Sequence, residues 1–359
     1  MIDANYRVLA GLLILSYYSV IAGWTLAYIA RAAGGLFQHS DSAAISLLFS
    51  DLVSDPERLL AWHTLFIVIT VAVVAQGVSK GLERAVRFLL PLMLALLLLL
   101  VGYAWLRGDF AAGVRFLFTP DFSALSWGAV LTALGHAFFT LSLGMGSIMA
   151  YGSYMPKGAS IASTTFMIGA ADTVIALLAG LAIFPIVFAQ GLEPSSGPGL
   201  LFETLPNAFG QMPGGRLFGT LFFVLILFAA WSSSISLIEP AVAWLTERFK
   251  VTRLTAALVS GGTAWTLGLA TVLSFNLWAD YKPLFGKTPF EFVDYLTANL
   301  MLPLGGLAIA LFVGWRMGSA ERREEMAMLH PLVYGVWLWV LRVIAPLAVL
   351  VVFINALLG

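Results

Sequence analysis

Two hydroxyls and two glycines stand close together near the end of the segment GHAFFTLSLGMG, Gly135 to Gly146. Thr140 and Ser142 supply oxygens, while Gly144 and Gly146 lower the cost of leaving helical geometry. A helix that unwinds here frees backbone N–H and C=O groups, which then need partners. A carboxylate suits the N–H groups and a sodium ion suits the carbonyls. The competing reading is close packing through small residues, with each hydroxyl bonded to the preceding turn. A second oxygen set lies in AAWSSS, Ala229 to Ser234. Ala229, Ser232 and Ser233 recur at helical spacing and share one face. A carbonyl and two hydroxyls on one face suit a hard cation that prefers oxygen, and small-residue packing competes again.

Asp172 lies well inside a long apolar stretch, where a carboxylate is costly and points to function by default. Glu239 is followed by Pro240. The proline removes a backbone bond, and the acid is placed to hold the freed groups or a water. SYYSVIAGW, Ser16 to Trp24, carries a tyrosine pair that offers hydroxyls inside a bundle. His136 reads as a polar contact within the bundle, His63 as lying near a membrane interface, and His39 and His330 as loop residues.

These groups need elements that place them in an apolar medium. The chain has 359 residues, 60% hydrophobic and 11% charged, against about 25% charged in soluble domains. Its mean hydropathy is +0.94. Lipid must cover most of such a chain. The formal net charge is zero and there is no cysteine. No nucleic-acid partner is implied, and disulfides, thiolate metal sites and a cysteine nucleophile are excluded. MIDANYR at the N-terminus lacks the basic region of a cleavable signal peptide.

A membrane-crossing helix needs about 20 mainly apolar residues. Nine stretches qualify, at 8–30, 61–79, 88–106, 124–154, 160–189, 217–246, 252–275, 291–315 and 331–358. Stretches 124–154 and 160–189 are long enough to be tilted or interrupted. Basic residues gather in alternate connections: Lys80, Arg84 and Arg87, then Lys157, then Arg248, Lys250 and Arg253, then Arg316, Arg322 and Arg323, with Arg7 before the first span. This places the N-terminus in the cytoplasm of a multi-pass protein of the cytoplasmic (inner) membrane. Arg342 is expected to snorkel to the cytoplasmic interface. Segment 190–216 is rich in proline and glycine, and its LLFETLPNAF reads as a short external helix or lid. An intramembrane hydrolase fits poorly. His136 and Ser142 lie about 240° apart around an unbroken helix, too far for a nucleophile and its base, and Asp172 has no evident second acid.

Four segments in this order resemble the neurotransmitter:sodium symporter family, whose bacterial members are mainly amino-acid transporters. FFTLSLGMG followed by AYGSY resembles its sixth helix, YYSVIAGWTL its third, LFAAWSSSISLIEP its eighth and FVDYLTANLMLPLGGL its tenth. The resemblance implies an all-α, polytopic, inverted-repeat fold of five plus five helices. It implies sodium as driving ion, no organic cofactor, and a neutral, hydrophobic amino acid as substrate. Oligomeric state stays open. By matched position, Tyr18 would bind the substrate carboxylate, with Ile14 a turn before it. Phe139 would cover the substrate and Ser142 would contact its amine through the backbone. Met145, Ser233 and Leu237 would line the side-chain pocket. Thr140 and Asp172 belong to the first sodium site, where the Asp172 carboxylate would also stand in for a chloride. Ala229, Ser232 and Ser233 belong to the second. Asp294 matches the external gate acid, Glu247 the internal one, and Tyr154 the internal-gate tyrosine. The family has two helices ahead of the first matched one, and these 359 residues show neither. The chain then reads as a single transmembrane domain. Residues 1–106 are the remainder of a first repeat, 124–315 a second repeat, and 331–359 an additional helix. An inactive remnant or partial chain of such a transporter is the alternative.

Overall fold

The computed structural model describes residues 4–358 except 39, 124, 157, 195–196 and 327–329; His39 and Lys157 therefore lie outside the described residues. The helices are α1 (Ala4–Ala33), α2 (Ser42–Ser54), α3 (Pro56–Val74), α4 (Arg84–Arg107), α5 (Phe110–Phe118), α6 (Trp127–Thr140), α7 (Ser147–Ser153) and α8 (Ile161–Ala189). Then come α9 (Leu205–Gln211), α10 (Gly215–Phe249), α11 (Arg253–Ser274), α12 (Pro289–Tyr295), α13 (Leu302–Leu311), α14 (Ser319–Glu325), α15 (Pro331–Trp339) and α16 (Ala345–Leu358). Wider π-helical turns join several of them, including Leu296–Met301 between α12 and α13. Pro303 has no N–H to return to the preceding turn, which accounts for a changed register just before it. Among the described residues the β pairing is one isolated bridge, Leu284 with Lys287.

Eight helical stretches among the described residues are long and apolar enough to cross a membrane. The ninth expected span, 124–154, is not one helix. It is split into α6 and α7 around residues 141–146, which is the interruption that its glycines foretold.

Helix α1 is the axis of the bundle. Two thirds (67%) of its apolar window is buried, against 11% in the last span, Pro331–Val351. It packs on α10, α3 and α11. At one end its Trp24 and Tyr28 sit in an aromatic nest. Phe275 and Phe202 stand edge-on to Trp24, with ring centroids 5.0 and 5.5 Å away. The Tyr28 hydroxyl donates to the Phe202 carbonyl at 2.8 Å. Such edge-on rings add to the burial of large apolar area.

Two expectations change here. The segment read as an external lid does form the π-helical turn Leu200–Thr204 and α9. However, Phe202, Leu205, Ala208 and Phe209 are buried in the main core, so it is a plug rather than a cover. His63, read from the sequence as near a membrane interface, is also fully buried among its neighbours, with Nε2 3.2 Å from the Trp265 carbonyl. The reason is the start of α3 at Pro56, which puts His63 two turns inside. There it joins the buried stripe Leu59, Phe66, Ile67, Thr70 and Val74, one face of a helix.

Because the Phe202 ring fills the nest, Phe202→Ala is expected to cost about 3 kcal/mol or more. Thermal unfolding of the detergent-purified protein reads this as a lower midpoint. An unchanged midpoint would mean that the plug contributes no stability.

Candidate substrate and sodium site

Helix α6 stops at Thr140 because the next residues leave helical geometry. Ser142, Gly144 and Gly146 all have positive φ, at 55°, 85° and 88°. Helix α7 starts again from Gly146, whose carbonyl accepts the Ala150 N–H at 2.9 Å. The first residues of the break still bond backward: the N–H groups of Leu141, Ser142 and Leu143 reach the carbonyls of Ala137, Phe139 and Phe138. Beyond that point the ladder ends. Among the described residues, the N–H groups of Gly144, Met145 and Gly146 have no backbone partner, and neither do the carbonyls from Thr140 to Leu143.

The break is wedged in place. A Cβ on Gly144 would lie 2.4 Å from the Leu302 carbonyl oxygen, and one on Gly146 3.1 Å from Arg7 Cβ. Only glycine permits both the φ and the approach. Helix α7 is also bolted to α10. The Ser147 hydroxyl donates to the Ser236 carbonyl at 3.0 Å, and Tyr151 OH lies 2.8 Å from the Ser236 hydroxyl.

On α10 the serines divide by role. Ser234 is fully buried, and its hydroxyl lies 3.0 Å from that of Thr70 on α3, which makes it a packing contact. Ser232 is half-buried and Ser233 exposed. The Ser232 hydroxyl donates to the Ala229 carbonyl at 2.9 Å. Two of the anticipated sodium oxygens therefore sit side by side, and each is the other's partner. Across from them the Tyr18 hydroxyl meets the Ser233 side chain.

The apolar pocket residues do come together. Ile14, Met145 and Leu237 are buried in one cluster, and Tyr18 and Phe139 pack against it. Other anticipated residues stay apart. Thr140 is exposed and makes only a long contact, 3.4 Å, back to the Ala137 carbonyl. Asp172 is half-exposed on α8, which packs on α4, α5 and α9. No hydrogen bond or ion pair joins it to Thr140 among the described residues.

The gate residues have partners that the sequence did not announce. Asp294 faces the hydroxyl of Tyr17, the buried neighbour of Tyr18. That hydroxyl also lies 3.3 Å from the Thr297 hydroxyl in the π-helical turn. Tyr154 OH donates at 2.8 Å to Glu239, not to the exposed Glu247. Glu239 has no exposure, and its side-chain partners among the described residues are Tyr154 and Arg253. Arg253 clamps it through two bonds, 3.0 and 2.5 Å, and its Nε reaches the Val74 carbonyl at 2.8 Å. In the sequence Arg253 counted only as a basic connection residue. The sole hint was an acid within an apolar run fourteen positions ahead of it.

Comparisons with known proteins identify the family and the fold. A profile of the sodium:neurotransmitter symporter family matches residues 46–359. The chain belongs to that family. It is 38% identical over 351 residues to the sodium-dependent transporter YhdH of Bacillus subtilis (strain 168), covering 97% of this chain and 78% of the relative. A sodium-dependent transporter of Haemophilus influenzae is 32% identical over 350 residues, with 96% and 76% covered. The crystal structure of MhsT in complex with L-phenylalanine superposes with a TM-score of 0.89 at 40% identity, covering 98% of this chain and 80% of that one. The protein is therefore a sodium-dependent, multi-pass membrane transporter with the fold of MhsT. Members of this family are transporters, not enzymes.

Leaving Arg253 without its acid would strand a charge in a mostly buried place. Glu239→Gln is expected to destabilise the protein by about 3 kcal/mol, and the double change Glu239→Gln with Arg253→Met to recover part of that loss. Thermal midpoints of the two single variants and the double variant form the cycle. Strict additivity would show that the pair is not coupled.

Proposed function

We propose that this protein moves a neutral, hydrophobic amino acid together with sodium across the cytoplasmic (inner) membrane by alternating access. The observation that carries this reading is one juxtaposition. Ile14, Tyr18, Phe139, Met145 and Leu237 gather beside a helix break where, among the described residues, the N–H groups of 144–146 and the carbonyls of 140–143 have no backbone partner. An amino acid has a charged end that such backbone groups can hold and a side chain that such an apolar cluster can cover. MhsT, 40% identical, was solved with L-phenylalanine, which supports the substrate class.

In this reading Tyr18 OH donates to the substrate carboxylate and the Ser142 carbonyl accepts from its amine. Phe139 covers the ligand, and Ile14, Met145, Ser233 and Leu237 shape the side-chain pocket. Thr140 and Asp172 contribute to the first sodium site, with Asp172 also supplying the charge of an absent chloride. Ala229, Ser232 and Ser233 form one face of the second. Their donors are all oxygens, and among the described residues no cluster of His, Cys, Asp or Glu competes for a transition metal. Neutral oxygen sets of this kind fit a hard cation. Asp294 guards one end, Glu247 and Tyr154 the other, with the N-terminus in the cytoplasm. Residues 1–106 are the remainder of the first repeat, 124–315 the second repeat and 331–359 the added helix.

A second reading, that these 359 residues form one wall of a larger site, is favoured by a specific observation. Helix α6 has no buried residue, and it leaves Thr140 exposed beside the break. Uncompensated polar groups of this kind cost free energy in lipid.

Binding of labelled L-phenylalanine to the purified protein is expected to be at least about ten-fold tighter in sodium than in potassium, a difference of ~1.4 kcal/mol. Equal binding in both salts would count against sodium coupling. Asp172→Ala is expected to reduce that ratio, and an unchanged ratio would remove Asp172 from the sodium site. On the one-wall reading, vesicles carrying only these 359 residues show no sodium-driven uptake; robust uptake would dispose of that reading and support transport by the chain itself.

A further inference from the structure

Arg342 lies inside the last apolar span, Pro331–Val351. A charge at such a position needs water, a carbonyl or a counter-ion. It does not simply extend to an interface alongside its own helix. From the π-helical turn Val340–Ile344 it crosses to the neighbouring span. There its Nε donates to the Gly314 carbonyl at 2.6 Å, and its guanidinium lies 5.1 Å over the Trp315 ring.

Arg322 arrives at the same place from the other side. It is 5% exposed. Its Nη1 donates to the carbonyls of Val313 at 2.8 Å and Met317 at 3.1 Å, and more weakly to Gly314 at 3.4 Å. Its Nε lies 3.2 Å from Tyr334 OH. Two guanidinium groups thus converge on one carbonyl oxygen, with donor nitrogens no more than about 6 Å apart. Neither takes part in any ion pair among the described residues. Glu321, Glu324 and Glu325 recur at helical spacing on α14, on a face that leaves Arg322 to the interior. Exposed Arg316 is a third cation, two residues beyond Gly314 at the end of the π-helical turn Phe312–Arg316. The helix end offers only partial negative charge, which falls short of two full positive charges held this close.

We propose that Arg342, with exposed Arg316 two residues beyond its Gly314 partner and with buried Arg322 adding positive charge behind it, binds the phosphodiester headgroup of an anionic phospholipid. Guanidinium forks match the oxygens of such a group and bind it bidentately. What selects a lipid over a free ion is the rim. Phe312, Trp315 and Trp339 are more than half exposed around the cations, and Val343, Ile344 and Leu347 continue an apolar surface along the same span. Aromatic side chains of this kind sit at headgroup depth, and the aliphatic surface beyond them suits an acyl chain.

The test uses the purified 359-residue protein titrated with phosphatidylglycerol or phosphatidylcholine, with bound lipid counted by native mass spectrometry. The wild type is expected to hold phosphatidylglycerol at least about five-fold more tightly than phosphatidylcholine, the effect of roughly one basic contact. Arg342→Gln is expected to abolish that preference and Arg342→Lys to keep part of it. Arg107→Gln, at an exposed arginine of α4, is expected to leave it unchanged. Excess inorganic phosphate is expected not to displace the lipid. Equal lipid preference in Arg342→Gln and wild type would overturn the proposal, as would displacement by phosphate, which would mark a plain anion site. Should Arg342→Gln lose its helical circular dichroism, Arg316→Gln reads the same preference without breaking a cap. An unchanged preference there would also overturn the proposal.

Discussion

Inside a bilayer every backbone N–H and C=O must find a partner in protein, water or ligand, and residues 141–146 are where this chain departs from helical self-satisfaction. The rest of the bundle is arranged around that departure. Leu302 at the start of α13 presses on Gly144, and Ser236 on α10 holds α7 by two side chains. The break is therefore rigid where it meets α10 and α13. Its other flank is bare, since α6 packs on α13 and α16 and buries no residue. A break held on one side and open on the other presents the same free groups in the same directions.

The serines of α10 show why composition alone left two readings open. The structure separates these serines by face. Ser234 does what small polar residues do in membrane helices and ties α10 to Thr70 of α3. Ser232 turns its hydroxyl to the Ala229 carbonyl, which is ordinary back-bonding to the preceding turn. That same contact collects two oxygens within 2.9 Å.

The apolar runs were legible because crossing a membrane demands length and hydropathy and little else. The break in 124–154 was legible because glycine is the residue that tolerates positive φ. Less visible was anything that depends on a partner far away in sequence. His63 looked interfacial because its span was drawn from residue 61, whereas Pro56 begins the helix. LLFETLPNAF read as a lid because proline and glycine flank it, but its Phe202 and Phe209 fill the core. Arg253 was counted as a loop charge, since nothing local shows that it turns inward to Glu239. Tyr17 was eclipsed by Tyr18. Neighbours on a helix point about 100° apart, so the pair serves two different places. Asp172 remains the residue for which local hydropathy argued hardest and on which the described contacts converge least.

The clamp around Arg253 has a consequence for how that end of the bundle behaves. One guanidinium joins the last carbonyl of α3, the acid of α10 and the first turn of α11, and Tyr154 adds the end of α7 through the same acid. Three helix ends and the interior of α10 share a single knot. Fraying one of them alone would leave a buried ionic group half-solvated, which is the costliest of the partial states. That end therefore behaves as a cooperative unit, either tied or released as a whole, with partial openings scarcely populated between.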